Sequence, residues 1–336
     1  MLILLFLSAC SLENASFKSV KFSGNTMGTT YHITLSDTSI SDGDYSNLLT
    51  QIDSVLTQIN QTFSTYIESS EISQFNQLHS TKSMRISTDF AMVLSTALKV
   101  SRETQGAFDP TVMPLINAMG FGYTKPNTTP TAAQLDSITM NIGYEYIRLD
   151  SNLLHKTRPK VQLDLSANAK GFGIDKVIDF LKTKRFKHLL VEIGGEVSAF
   201  GNKYRNEKWQ IGIDTPNLNA QPGKDFSRII SLNKGGMATS GDYRNYHEVN
   251  GVRISHILDA QTSLPLTHGL ASVTVIAQDA MTADAYATAF MILGETRAMK
   301  LAESIPDLEA FFIVRKNGKY FENWTKGFEA YFVASN

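Results

Sequence analysis

The chain has 336 residues, 42% of them hydrophobic, and its 31 lysines and arginines nearly cancel its 32 aspartates and glutamates. That length supports a real core in one large domain or two closely joined ones. The even charge leaves no basic footprint for nucleic acid, and the composition is not that of a disordered acidic chain.

The N-terminus reads as a targeting segment. Leu2 to Leu7 is an apolar run, followed by Ser8, Ala9 and the lone cysteine, Cys10. The run is far shorter than the ~20 residues of a membrane span. Leu7-Ser8-Ala9-Cys10 resembles the bacterial lipobox, where the chain is cut before a lipid-modified cysteine. This divides the chain into a signal peptide (1–9), a lipidated tether (10–22) and a functional domain (23–336). It places the protein on the periplasmic side of a bacterial membrane, the inner one favoured over the outer. No Lys or Arg precedes the apolar run. An ordinary signal peptide cut after a small residue therefore stays open.

Next in the chain, residues 30–35 alternate in the manner of a strand, and 36–44 form a Ser-, Asp- and Gly-rich loop. Leu48, Leu49, Ile52, Val55, Leu56 and Ile59 recur at helical spacing and predict an amphipathic helix. Thr88 is placed as the N-cap of a second helix, with Val93, Leu94, Ala97 and Leu98 on one face. Pro110 and Pro114 bracket an irregular stretch ending at Gly120-Phe121-Gly122, and 125–130 reads as an exposed loop before a further helix. Beyond Lys187, strands are expected over 189–193, 210–213, 229–232, 272–277, 311–314 and 331–333. A helix over Ala280–Leu293 interrupts them. Strands and helices do not alternate strictly, so the class is α+β in a single intimately joined unit.

Three polar-glycine clusters stand out: 106–111, 164–171 and 238–243. Each has a plain reading as a turn. In the second, strand-like residues 161–165 lead through small residues into a helix carrying Val177, Ile178 and Leu181. Free N–H groups at such a helix start suit an anion. Lys170, placed in that first turn, is a cation where the helix dipole disfavours one, unless an anion visits. Asp284 and Thr288 are four apart in an alanine-rich helix and share a face. Together they offer hard oxygen ligands to Mg²⁺. The alternative is a Thr288 hydroxyl bonded back to the Asp284 carbonyl. His256, Asp259 and Thr262 fall in one strand-to-turn segment, without the His/Cys set that zinc requires.

Taken in order, these segments resemble one family, ApbE, the FAD:protein FMN transferases. The stretches that carry the likeness are Met27-Gly28-Thr29-Thr30-Tyr31, Phe63-Ser64-Thr65-Tyr66, Ser70-Glu71-Ile72, 106–114, 164–175, Val191-Glu192-Ile193-Gly194-Gly195-Glu196, 239–246, 255–265 and 279–288. The resemblance implies an ApbE-type, T-fold-like mixed architecture. It implies FAD contacts from Met27, Tyr66, Ala107, Phe108, Asp109, Asp164, Lys170 and Ile257. It implies Mg²⁺ held by the Ala167 carbonyl and the side chains of Asp284 and Thr288. One departure is visible: the family usually reads Asp-Pro-x-Thr-Gly after the histidine, and here Ala260 and Ser263 replace Pro and Gly. The loop is therefore expected to be looser or to turn differently.

The implied reaction moves the FMN half of FAD to a Thr or Ser hydroxyl of a partner, such as a membrane redox-complex subunit, and releases AMP. Mg²⁺, held by Asp284, and Lys170 are assigned to charge neutralisation. His256 is assigned as general base, since histidine's ordinary pKa of ~6.5 suits the task. Asp284 is the rival base, weakened by the metal it would bind. Two alternatives use the same residues: an FAD pyrophosphatase giving FMN and AMP, and a non-catalytic FAD-binding lipoprotein.

Overall fold

The computed structural model describes residues 19–124, 126, 130–217, 223–242, 246–249, 252–255, 257–264, 266 and 268–333. In chain order the elements are β1 (Val20–Thr26), β2 (Thr29–Leu35), α1 (Asp42–Phe63), α2 (Glu71–Gln77), β3 (Met84–Arg85), α3 (Thr88–Glu103), α4 (Met113–Ala118) and α5 (Ala132–Thr139). Then come β4 (Ile147–Asp150), β5 (Leu153–Lys156), α6 (Ser166–Thr183), β6 (Leu189–Ile193), β7 (Glu196–Phe200), β8 (Trp209–Asp214), β9 (Phe226–Leu232) and β10 (Lys234–Gly241). The last are β11 (Tyr246–Val249), β12 (Val252–Ser255), β13 (Leu270–Ala277), α7 (Ala280–Leu293), α8 (Glu295–Ala302), β14 (Glu309–Lys316) and β15 (Lys319–Trp324).

An eight-stranded sheet in the order β1-β2-β6-β7-β10-β13-β14-β15 organises these elements. Its pairings are all antiparallel, as an α+β chain requires. Side chains alternate across it. On β14, Phe311 and Ile313 join the core beneath the β8–β9 hairpin, while Ala310 and Phe312 join the core that holds α7. Helix α7 is apolar on almost every side, and such a helix is stable only when buried. Two glycines admit it. A Cβ on Gly171 of α6 would lie 2.2 Å from the Ala280 carbonyl oxygen, and one on Gly236 of β10 would lie 2.3 Å from Ala280 N. Asp175 of α6 accepts from the N–H groups of Ala280 and Met281 at 3.0 and 2.9 Å, which satisfies donors at the start of α7.

Several sequence expectations need correction. The cap of α3 is Ser87, whose hydroxyl accepts from Phe90 N, and Thr88 is the first helical residue. The stretch after Pro110 contains α4, where Pro114 sits in the first turn and its missing N–H costs no helical bond. Residues 161–165 are in no sheet. The Asn76 side chain binds both the N–H (2.7 Å) and the carbonyl (2.8 Å) of Leu163, standing in for a neighbouring strand. Lys170 lies in the second turn of α6, not the first. The chain closes on β15 and a 3₁₀ turn (Lys326–Tyr331), and Phe332 makes only a single bridge to Ile230. Strand β1 begins at Val20, so the sheet takes in residues 20–22 of the expected tether. Cys10 lies outside the described residues.

Candidate active site

A cleft of about 680 Å³ opens where the β1–β2 turn, the end of α1, the start of α6, β10 and α7 converge. Met27, Tyr66, Ala107, Phe108, Asp109, Asp164, Ala167, Lys170, Ile257, Asp284 and Thr288 all line it. Segments scattered from 27 to 288 thus meet at one place. His256 lies outside the described residues, although its neighbour Ile257 is on the wall.

Each wall residue is held by local structure. Met27 and Gly28 form the tight turn between β1 and β2, with φ of 49° and 74°. Positive φ at both central positions matches the twist of a hairpin. Tyr66 follows the end of α1 and leaves its ring 71% exposed at the rim. Asp109 is buried, and its carboxylate accepts from the N–H and hydroxyl of Thr111 (2.8 and 2.6 Å) and from Tyr144 N (2.8 Å). Burial pushes its pKa up to about 6, against these hydrogen bonds. Its side chain thus shapes the 107–111 turn. Asp164 accepts from Ser166 N at 2.8 Å and so anchors the entry into α6.

The polar centre joins α6, α7 and β7. Lys170 Nζ lies 3.5 Å from Asp284 Oδ1 and 3.5 Å from Glu196 Oε1. Gly171 N donates to Asp284 Oδ2 at 3.0 Å. Burial works against the Lys170 charge, but Asp284 and Glu196 outweigh it and hold the ammonium well above the usual lysine range. Burial pushes the Asp284 carboxyl up, with Lys170 and the Gly171 N–H opposing. Thr288 does not bond back to the Asp284 carbonyl. Its hydroxyl meets Ser240 Oγ at 3.3 Å. Among the described residues there is no group of three His, Cys, Asp or Glu side chains that could hold a metal. A cation here would rest on one carboxylate (Asp284) and neutral oxygens (Thr288, the Ala167 carbonyl). That hard, incomplete set fits Mg²⁺, which keeps waters and takes phosphate oxygens as further ligands.

Glu196 escaped the sequence reading as a site residue. It follows the Gly194-Gly195 turn at the end of an apolar run, and only the sheet brings it to Lys170. The apolar wall of Phe63, Met113, Ile116 and Phe121 was likewise not assigned. It is the wall suited to a flat ring system.

Residues 27–312 match the model of the ApbE family. The chain belongs to the ApbE family. It is 39% identical to the FAD:protein FMN transferase of Haemophilus influenzae, over 97% of this chain and 94% of that one. It is 37% identical to that of Vibrio cholerae, over 98% and 96%. Its fold superposes on the flavin transferase ApbE from Vibrio cholerae with a TM-score of 0.86 at 36% identity, covering 94% of this chain and all of that one. The flavinyl transferase ApbE of Pseudomonas stutzeri gives 0.84 at 33% identity, covering 95% and 98%.

The loop that carries Ala260 and Ser263 makes a turn, with Ser263 N donating to the Asp259 carbonyl at 2.8 Å. Ser263 adopts φ 58°, the left-handed conformation that a glycine takes without cost. Asp259 Oδ1 accepts from Gln261 N at 2.8 Å. Gln261 Nε2 in turn donates to the Gln105 carbonyl at 2.6 Å, tying this loop to the one that bears Asp109.

Proposed function

We propose that this chain transfers the FMN half of FAD to a hydroxyl of a partner protein and releases AMP. The observation that carries the reading is the Lys170–Asp284–Thr288 cluster in a cleft whose other wall is apolar. Diphosphate chemistry needs charge neutralisation and positioning more than covalent help. The apolar wall and Tyr66 hold the isoalloxazine, Met27 closes over it, and the 107–111 turn and the start of α6 orient the diphosphate. The acceptor oxygen bonds to the phosphorus on the FMN side. The bond from that phosphorus to the bridging oxygen breaks, and AMP leaves with the electron pair. Lys170 supplies positive charge to the diphosphate, and His256 takes the acceptor's proton. Mg²⁺ bound at Asp284, Thr288 and the Ala167 carbonyl would neutralise the charge that builds on the diphosphate.

The acceptor we propose is a Thr or Ser of a membrane redox-complex subunit, met on the periplasmic side by a chain anchored through Cys10. The test incubates the protein with FAD and Mg²⁺ and assays AMP and protein-bound flavin with and without an acceptor. Covalent flavin on the acceptor supports transfer. AMP formed at the same rate without any acceptor would replace it with FAD hydrolysis. His256→Ala should lower turnover by about 10²–10⁴-fold with FAD affinity little changed. Cys10→Ser should move the protein from the membrane to the soluble fraction, and an already soluble wild type would remove the anchor.

A further inference from the structure

Asp284 has two carboxylate oxygens, and both are engaged. Oδ2 takes the Gly171 N–H at 3.0 Å, and Oδ1 faces the Lys170 ammonium at 3.5 Å. A divalent cation on this carboxylate must therefore share or take the oxygen that Lys170 faces. Lys170 is half-buried, and an ammonium there displaced from Asp284 with no other carboxylate beside it would be left poorly compensated, which is unfavourable. The fold provides a second carboxylate at the same distance. Glu196 Oε1 lies 3.5 Å from Lys170 Nζ, and Glu196 is only 5% exposed. It opens β7 directly after Gly194 and Gly195, whose φ values of 64° and 104° make a tight reversal from β6. Its backbone is fixed in the sheet, whereas the lysine stem is flexible and its charge compact.

We infer that Glu196 is a positioning residue that holds the Lys170 ammonium off Asp284 when a divalent cation binds. The inference rests on the proposed cation site and deepens it. Lys170 shifts toward Glu196, Asp284 Oδ1 is freed, and the ammonium stays beside the diphosphate. Without Glu196, Lys170 and the cation compete for one oxygen.

The test is direct binding of Mn²⁺, read by electron paramagnetic resonance with saturating ADP. ADP carries a diphosphate but has no flavin to transfer. Glu196→Gln should raise the Mn²⁺ dissociation constant by about tenfold, within the usual range of coupling between sites. Glu196→Asp, which keeps the charge, should recover most of the affinity. In a Lys170→Met background the effect of Glu196→Gln should vanish, because no ammonium is left to compete. A role in folding alone would lower the unfolding midpoint and leave the Mn²⁺ constant unmoved. Equal Mn²⁺ binding by wild type and Glu196→Gln would overturn the inference, as would a loss that persists undiminished with Lys170→Met. Absence of Mn²⁺ binding by the wild type would instead overturn the cation site itself. Should Glu196→Gln not fold, Lys170→Met alone decides. Mn²⁺ binding at least as tight as wild type supports competition, and weaker binding refutes it.

Discussion

Gly171→Ala is a sharp test of how the two site helices depend on each other. A Cβ at this position would lie 2.2 Å from the Ala280 carbonyl oxygen, 2.5 Å from its carbon and 2.7 Å from Met281 Cα. That is roughly 1 Å inside van der Waals contact. The atoms met are all backbone of the first turn of α7, so no rotamer change relieves the clash. Alanine gains about 1 kcal/mol over glycine inside a helix. Overpacking costs about 1–3 kcal/mol, so the net loss of stability is at most about 2 kcal/mol and the protein still folds. The larger effect falls on chemistry. Helix α6 carries Lys170 and α7 carries Asp284, and the bond from Gly171 N to Asp284 bridges them. Separating them by ~1 Å should cost on the order of 10²-fold in turnover. Gly173→Ala is the control. Its Cβ would meet the tip of Met27 at 2.6 Å, a flexible end that can move. That variant should keep its turnover number and have an unfolding midpoint no lower than wild type, since alanine favours the helix, but raise KM for FAD. The assay is AMP release against FAD concentration, beside a thermal melt. A Gly171→Ala enzyme with wild-type turnover would refute the reasoning.

Asp284→Ala should abolish Mg²⁺-dependent AMP release while the far-ultraviolet circular dichroism stays that of a folded protein. Retained activity would remove Asp284 from the site. Tyr66→Ala should raise the dissociation constant for FAD by roughly two- to tenfold, the worth of one aromatic contact. It should leave the melt unchanged, since the ring is 71% exposed. Lys156 is fully buried and donates to the carbonyls of Phe75 (3.2 Å) and Val161 (2.8 Å). Burial lowers its pKa from 10.5 to about 8. Between those values the unfolded chain holds a proton that the folded chain has lost. This residue's contribution to stability therefore rises from about pH 8 to about pH 10.5. Urea unfolding of wild type and Lys156→Met across that range should show the rise only in the wild type, and identical pH profiles would contradict it.

Much of the framework was legible because burial writes a period into the chain. Helix α1 was marked by Leu48, Ile52, Leu56 and Ile59, all buried, and α7 by its long small-and-apolar run. The α+β class followed from the irregular order of strands and helices. Strand β15 was missed although its turn was readable: Asn317-Gly318, with φ of 52° and 72°, is a common hairpin pair. Residues 161–165 misled because apolar alternation looks the same whether the backbone pairs with a strand or with the Asn76 side chain. The residues of the cleft were named by likeness to a family, yet their arrangement was not in the local pattern. Lys170 and Asp284 stand 114 positions apart, and Glu196 reaches them only through the pairing of β6 with β7. Ser263 shows the same division, since its identity argued against a tight turn and the hydrogen bonds of Asp259 and Gln261 enforced one. The sequence by itself determined the buried faces of the long periodic elements such as α1 and α7, because periodicity is local. Which charges meet, and at what distance, was decided by tertiary packing, because an ion pair between distant segments leaves no period in either one.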